Sequence, residues 1–424
     1  MRLTQRARLW ARTPVLTLVA LVSVAALILL LHRPESAAEE TTAAAAAGTK
    51  KAAPVTAFRG DQLPEYLGAT PEKLAVKNVI TSNPLLDDVD EPVGILTRAT
   101  DDAPRANATL LVLVRNNELK GLLGTMRDVE RTFNSKFNYP WTFFNDKPFS
   151  DVFKRQVRAA TKAECRFETI PREHWDTPEW INNDITEVSN KILVEDNIMY
   201  AQMGSYHRMC RWNSGMFYKH PALKDVRWYW RVEPNTRYFC SIDYDVFRYM
   251  EDNDKTYGYV INIYDAPQSI RTLWPTTLEF VAKHPEYLHP NNSLAWLVDG
   301  NSRPNHHRIA NGYSTCHFWS NFEIGDMNFF RSEAYDKYFE YLDQAGGFFY
   351  ERWGDAPVHS VGLGLFLDQS KIHWFKDIGY LHQPYYNCPS SNKCRGCKAG
   401  RFVTTPSMNP ENCINNFFKY AHAD

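Results

Sequence analysis

Ala108-Thr109-Leu110-Leu111-Val112-Leu113-Val114-Arg115 is a short, almost unbroken apolar run that ends in a cation. A run of this length without alternation reads as a strand covered on both faces, as in a parallel sheet. Glu118 to Phe133 follows, with apolar residues at Leu119, Leu122, Leu123, Met126, Val129 and Phe133, the spacing of a helix with one covered face. Tyr139-Pro140-Trp141-Thr142-Phe143-Phe144-Asn145-Asp146 then reads as a second strand ending in polar residues. Strand, helix and strand in about forty residues make a βαβ unit, so the fold class is α/β. Ligands of such sheets gather beyond the carboxyl ends of the strands. Arg115, Asn116, Asn145 and Asp146 are therefore expected beside a nucleotide. The chain has neither a G-x-G-x-x-G turn nor a Walker lysine loop, which sets aside the dinucleotide and P-loop classes.

Outward from this unit, strands are expected at Trp228 to Val232, Tyr238 to Ile242 and Gly258 to Ile263. Helices are expected at Pro275 to Lys283, Arg331 to Gln344 and around His359 to Leu367. On the amino-terminal side the composition changes sharply. Residues 32–104 are rich in Ala, Thr, Pro and charge, lack apolar periodicity apart from a short helix near Pro71 to Val79, and read as a stem. Before them, Val15 to Leu31 is apolar and about 26 Å long as a helix, enough to span a thin membrane. Arg2, Arg6, Arg8 and Arg12 precede it, and Leu31-His32-Arg33-Pro34 makes a poor signal-peptidase site. The layout expected is a cytoplasmic tail (1–14), a transmembrane signal-anchor (15–31), a stem (32–104) and a lumenal domain (105–424).

The 424 residues carry 48 Lys and Arg against 49 Asp and Glu, which argues against nucleic acid as a partner. Aromatic residues make up 14%, mostly as a large core, with loops whose rings also suit sugar faces. The eight cysteines, an even number behind a membrane anchor, read as disulfides rather than zinc ligands; Cys394-Arg395-Gly396-Cys397 has no second pair at finger spacing.

Chemistry is sought where polar groups end apolar strands. Arg227-Trp228-Tyr229-Trp230-Arg231-Val232-Glu233-Pro234-Asn235 runs a strand into a carboxylate and stops the ladder with proline, projecting Glu233 from the strand's end. Asp243-Tyr244-Asp245 is the rival, since D-x-D is a familiar metal signature of sugar transferases, but it leads into Val246-Phe247-Arg248-Tyr249-Met250, where an aspartate also serves as a helix cap. Met203 to Trp212 mixes cations, a tyrosine and glycine as a phosphate or acceptor loop would. Glu323 sits between aromatics in His317 to Asp326, and His382 stands just before a proline turn.

At these segments the chain resembles the fungal Golgi α-1,2-mannosyltransferases, glycosyltransferase family 15. The similarity covers roughly residues 105–420 and rests on Tyr139 to Ser150, Tyr200 to Phe217, Trp228 to Tyr249, Leu273 to Phe280, Ser314 to Phe329, Glu351 to Gly362 and Ile378 to Pro389. It implies a Rossmann-like GT-A domain with a central mixed sheet, anchored as a single-pass type II protein of the Golgi membrane. It implies a retaining mannosyltransferase that uses Mn²⁺, takes GDP-mannose as donor and extends mannosylated glycan acceptors at a 2-hydroxyl. Carried across by motif, R-x-E-P makes Glu233 a metal ligand with Arg231 beside the donor, and G-Y-x-H-x-P makes His382 the second ligand. Asn235 does not replace a second carboxylate. G-S-Y-H-R-M-C-R places Tyr206 near the reacting sugar, S-N-F-E-I makes Glu323 the candidate nucleophile, and Asp355 of R-W-G-D-A-P is a further functional acid. The competing readings are a mannosylphosphate transferase of the same family, a non-catalytic mannan-binding membrane protein, and a glycoside hydrolase using Glu323 and Asp355.

Overall fold

The computed structural model describes residues 63–80 and 83–421. The expected tail, the apolar run 15–31 and the first part of the stem lie outside the described residues. Within them, no helix is long and apolar enough to cross a membrane.

The βαβ unit forms as spaced: β1 (Ala108–Leu113), α1 (Leu119–Val129) and β2 (Trp141–Asn145), with β1 and β2 parallel and Leu110 opposite Trp141. α2 (Asp151–Ala159) leads to β3 (Cys165–Thr169), parallel beside β2. After α3 (Gly204–Arg211) the chain crosses back, and β4 (Trp228–Arg231) pairs with the other side of β1. Then come β5 (Arg237–Tyr238), β6 (Tyr257–Tyr259), β7 (Asn262–Tyr264) and α4 (Leu273–Lys283). β8 (Cys316–Phe318) and β9 (Glu323–Asp326) are followed by α5 (Glu333–Ala345) and α6 (Asp355–Phe366). β10 (Ile372–Trp374), β11 (Tyr380–His382) and β12 (Tyr385–Asn387) complete the set.

The main sheet has seven strands in the order β10-β6-β9-β4-β1-β2-β3. Every neighbouring pair is parallel except those of β9, which is antiparallel to both β4 and β6. The sheet is thus mixed, as expected. Because β9 runs backwards, its first residue lies on the same rim as the last residues of β1 and β4, where the chain switches direction across the sheet. A smaller sheet, β12-β11-β5, grows from the segment that follows β4.

Alternation along the strands divides the interior in two. Leu110, Val112, Trp141, Phe143, Trp228, Trp230 and Ile324 face one core with Leu122, Met126 and Val129 of α1. Leu111, Phe144, Tyr229, Tyr257 and Tyr259 face the other, with Tyr335, Tyr338 and Phe339 of α5 and Val358 and Val361 of α6. Arg231 and Glu323 are paired directly across β4 and β9, and Glu323 is paired with Tyr259 across β6, so they share this second face. Gly325 lets the sheet close there: a Cβ on it would lie 2.7 Å from the Tyr229 ring.

Three expectations differ from the structure. The strand expected over Gly258 to Ile263 divides between β6 in the large sheet and β7, which pairs with β8; a continuous apolar run carries no mark of where the chain changes sheets. The strand expected over Tyr238 to Ile242 stops at Tyr238, because Cys240 bridges to Cys394, both by backbone pairing and by a disulfide. The described parts of the expected stem, residues 63–80 and 83–104, lie against the domain, with Leu67 and Leu85 buried. Val89 N–H donates to the Ser390 carbonyl at 3.0 Å, and Glu91 pairs with Arg98 and Lys393, each at 2.5 Å. This strap is held by scattered polar contacts, to a carboxyl-terminal loop and, through Val93, Ile95 and Thr97, to Tyr249, Asn253 and Asp252, so it shows no apolar period. Of the eight cysteines, six form Cys240–Cys394, Cys316–Cys413 and Cys388–Cys397, while Cys165 and Cys210 are free.

Candidate active site

Glu233 is set by the turn that ends β4. Val232 N–H still donates to the Leu111 carbonyl at 2.9 Å, but Pro234 has no donor to continue the ladder. Asn235 then takes a left-handed φ of 64°, and Thr236 Oγ1 returns to the Glu233 carbonyl at 2.8 Å. The turn docks on α1, where Thr125 Oγ1 accepts from Thr236 N–H at 3.1 Å. Gly121 makes that approach: a Cβ there would lie 2.3 Å from Asn235 Oδ1. β5 follows directly and pairs with β11, which carries His382 back to the turn. His382 Nε2 ends 3.5 Å from Glu233 Oε2, both side chains partly exposed. The edge of the Trp319 indole packs against the His382 ring, centroids 4.9 Å apart.

Arg231 is the buried hub, 6% exposed. Its Nη2 donates to Glu233 Oε1 at 2.5 Å, its Nη1 donates to Asp355 Oδ2, and Nη1 lies 3.9 Å from Glu323 Oε1. Ser320 Oγ donates to the same Asp355 oxygen at 2.7 Å. Burial by itself would raise the Glu233 carboxyl, but Arg231 and His382 outweigh it and bring it down to about 2. For Asp355, burial is again opposed, chiefly by Arg231, and the net direction is down. Burial lowers His382, and Glu233 more than restores it, so its net direction is up. Three carboxylates around one guanidinium leave an excess of negative charge in a partly buried place, which suits a divalent cation. A carboxylate oxygen and an imidazole nitrogen side by side are ligands that Mn²⁺ accepts, so Glu233 and His382 fit the metal the resemblance implies. Among the described residues no group of three or more His, Cys, Asp and Glu is placed to hold a metal by itself.

Glu323, first residue of β9, is 1% exposed. Its Oε2 accepts from the Tyr257 hydroxyl at 3.0 Å and meets His359 Nδ1 at 3.0 Å. Asp355 opens α6, where a negative charge is favoured by the helix dipole. Tyr206 is on α3, so the segment read as a loop is a helix. Its ring stacks on Tyr200 at 4.6 Å with Arg352 5.8 Å over it, and burial pushes its hydroxyl pKa well up. Arg211 of the same helix is spent on a buried ion pair with Asp343 at 2.7 Å.

Arg115 lies just beyond the carboxyl end of β1 and Asn145 is the last residue of β2, on the rim that also carries Arg231. Arg115 is exposed and pairs with Glu118 at 2.9 Å. Asn145 is buried and donates to the Lys147 carbonyl at 2.8 Å, bracing the loop that presents Asp146. Asn116 braces it from the other side, donating to the Pro148 carbonyl and accepting from Ser150 N–H. The D-x-D pair serves structure. Asp245 caps the helix Val246–Asp252 and accepts from the Tyr139 hydroxyl, and Asp243 pairs with Lys136 and Lys393. Sequence reasoning missed Ser320, Tyr257, Arg352 and His359 as neighbours of the site. Only His359 carried a signal, four residues after Asp355 and therefore on the same face of a helix.

Residues 66–422 match the family described as glycolipid 2-alpha-mannosyltransferase. The chain is 48% identical over 321 residues to an alpha-1,2 mannosyltransferase of Saccharomyces cerevisiae, KTR1, covering 74% of this chain and 79% of that protein. Among solved structures, core-mannan synthase A of Aspergillus fumigatus in its Mn/GDP form is 58% identical with a TM-score of 0.79, covering 80% of this chain and 94% of that one. The mannosyltransferase Ktr4p of S. cerevisiae in complex with GDP is 40% identical with a TM-score of 0.81, covering 85% and 98%.

Proposed function

Because this chain belongs to the glycolipid 2-alpha-mannosyltransferase family, we propose that it moves an α-mannosyl group, with retention, from GDP-mannose to a 2-hydroxyl of mannose on glycan acceptors. The observation that carries this reading is the meeting of Glu233 and His382 at 3.5 Å beside Arg231, on the rim where the sheet reverses direction. A bound Mn²⁺ would neutralise the charge that the departing diphosphate gains. Arg231 fixes the Glu233 carboxylate through Oε1, and Oε2 faces His382 Nε2, the two atoms that would share the ion. Asp355 and Ser320 fix Arg231 in turn. Arg115 and Asp146 stand at the nucleotide end of the same rim, and Tyr206 and Glu323 serve the reacting sugar. The relatives support this reading by what their structures hold, Mn and GDP in one and GDP in the other.

The Golgi location and the type II anchor belong to the same proposal. They are supported by the cations before the apolar run 15–31 and by three disulfides, which need an oxidising compartment. The test is incubation with GDP-mannose and an α-mannoside, with linkage analysis of the product. A 1,2-linked product with GDP release, abolished by EDTA and restored by Mn²⁺, is expected. GMP release would indicate mannosylphosphate transfer, free mannose a hydrolase, and no turnover a binding protein.

A further inference from the structure

His359 is fully buried on α6, and both of its ring nitrogens meet oxygen atoms. Nε2 lies 2.9 Å from the Asn213 carbonyl, in the π-helical turn Trp212–Met216, and Nδ1 lies 3.0 Å from Glu323 Oε2. A carbonyl only accepts, so the Nε2 position carries a hydrogen. A neutral ring would then turn a bare Nδ1 lone pair toward a carboxylate oxygen, an arrangement that a dry site does not tolerate. One proton must lie between the two groups. Water has no access: Phe217, Phe330 and Tyr335 surround the ring at 4.9–6.3 Å. The charged and titratable groups around the pair are Arg231 and Tyr229 of β4, Tyr257 of β6, Tyr335 of α5 and Asp355 of α6 itself.

We propose that His359 is the positioning residue of Glu323: the proton held between Nδ1 and Oε2, together with the Tyr257 hydroxyl, occupies that oxygen and fixes the carboxyl plane, leaving Oε1 as the oxygen turned toward Arg231. This rests on the transferase reading, and it assigns to His359 an effect on turnover rather than on donor binding. A carboxyl group released from this clamp rotates away from the reacting sugar, and misplacement by about 1 Å costs on the order of 100-fold in rate.

Two variants separate the two ring nitrogens. In His359→Asn the amide sits where Nδ1 was and still donates to Glu323; in His359→Gln it sits where Nε2 was and keeps only the Asn213 contact. The measurement is kcat and KM for GDP-mannose, with Tm recorded for each protein. The expected result is a kcat within about tenfold of the parent for the Asn variant and a loss of about 100-fold for the Gln variant, with KM unchanged. Equal kcat losses in the two variants, or losses that follow Tm, would overturn the proposal. Should the Gln variant not fold, the Asn variant decides: kcat within tenfold supports the clamp, and a 100-fold loss at the parent's Tm overturns it. A parent protein that transfers no mannose would overturn the functional reading itself, whereas an active parent with a fully active Gln variant removes only this inference.

Discussion

Replacing Asp377 by Asn should change how stability depends on pH, and the structure sets the size of the change. Asp377 is 6% exposed; Oδ2 accepts from the Tyr244 hydroxyl at 2.8 Å and Oδ1 has no hydrogen-bond partner. Burial, only partly opposed by Tyr244, pushes its carboxyl up to about 7. In the unfolded chain the same group titrates at about 3.9. Below about pH 4 both states hold the proton and the native fold has its full stability from this site. Between about 4 and 7 only the folded state holds it, so stability falls as pH rises, by about 4 kcal/mol in all at 1.36 kcal/mol per pH unit. His373, buried and pushed down to about 3, acts in the opposite sense over nearly the same window, because its folded form refuses the proton that the unfolded chain accepts. The parent's own curve therefore mixes the two, and only the difference between parent and variant isolates Asp377. Urea unfolding followed by tryptophan fluorescence, disulfides intact, from pH 4.5 to 7.5, should show Asp377→Asn gaining roughly 3 kcal/mol on the parent across that range. A difference that stays flat with pH would refute the reasoning.

Other outcomes follow from the site and its supports. Glu233→Gln should abolish Mn²⁺ binding in calorimetry and cut transfer at least 100-fold, while Asp243→Asn, whose parent carboxylate only pairs with Lys136 and Lys393, should leave both unchanged; a metal requirement that follows Asp243 would reverse the assignment. Asp355→Ala removes one of the two carboxylates that accept directly from Arg231 and leaves Glu233 in place, so it should cost about 1.5–3 kcal/mol, the loss of one charged hydrogen bond, read as lowered stability in urea. Gly121→Ala should cost about 1–3 kcal/mol through its contact with Asn235, and Asn235→Gly, allowed by the positive φ there, should recover part of it in the double variant. Additive losses in that pair would deny the contact.

The parts of the fold legible in the sequence were those with period. β1, α1 and β2 fall within two residues of their expected places at the start, and the helices at Leu273–Lys283 and Glu333–Ala345 likewise. What lacked period was hidden. The strap is bound by isolated groups to distant segments, Asp88, Asp90 and Glu91 to a loop some 300 residues away and Val93, Ile95 and Thr97 to Tyr249, Asn253 and Asp252, and nothing local announces that. Within the site, Glu233 was legible because proline ends a strand beside it, but its approach to His382 depends on two short strands pairing at long range. The split roles of Asp243 and Asp245 were equally non-local, one held by Lys136 and Lys393, the other by a helix start and Tyr139.

The pairing of Arg231 with Glu323 and of Glu323 with Tyr259 makes the chemistry a matter of parity. Residues 323 and 325 point to one side of β9 and Ile324 to the other, so a single added or deleted residue within this strand would trade the acid for an isoleucine and aim the carboxylate into the aromatic layer over α1. Length changes are admissible only in the connections on either side. The phase of this strand relative to β4 and β6 cannot drift.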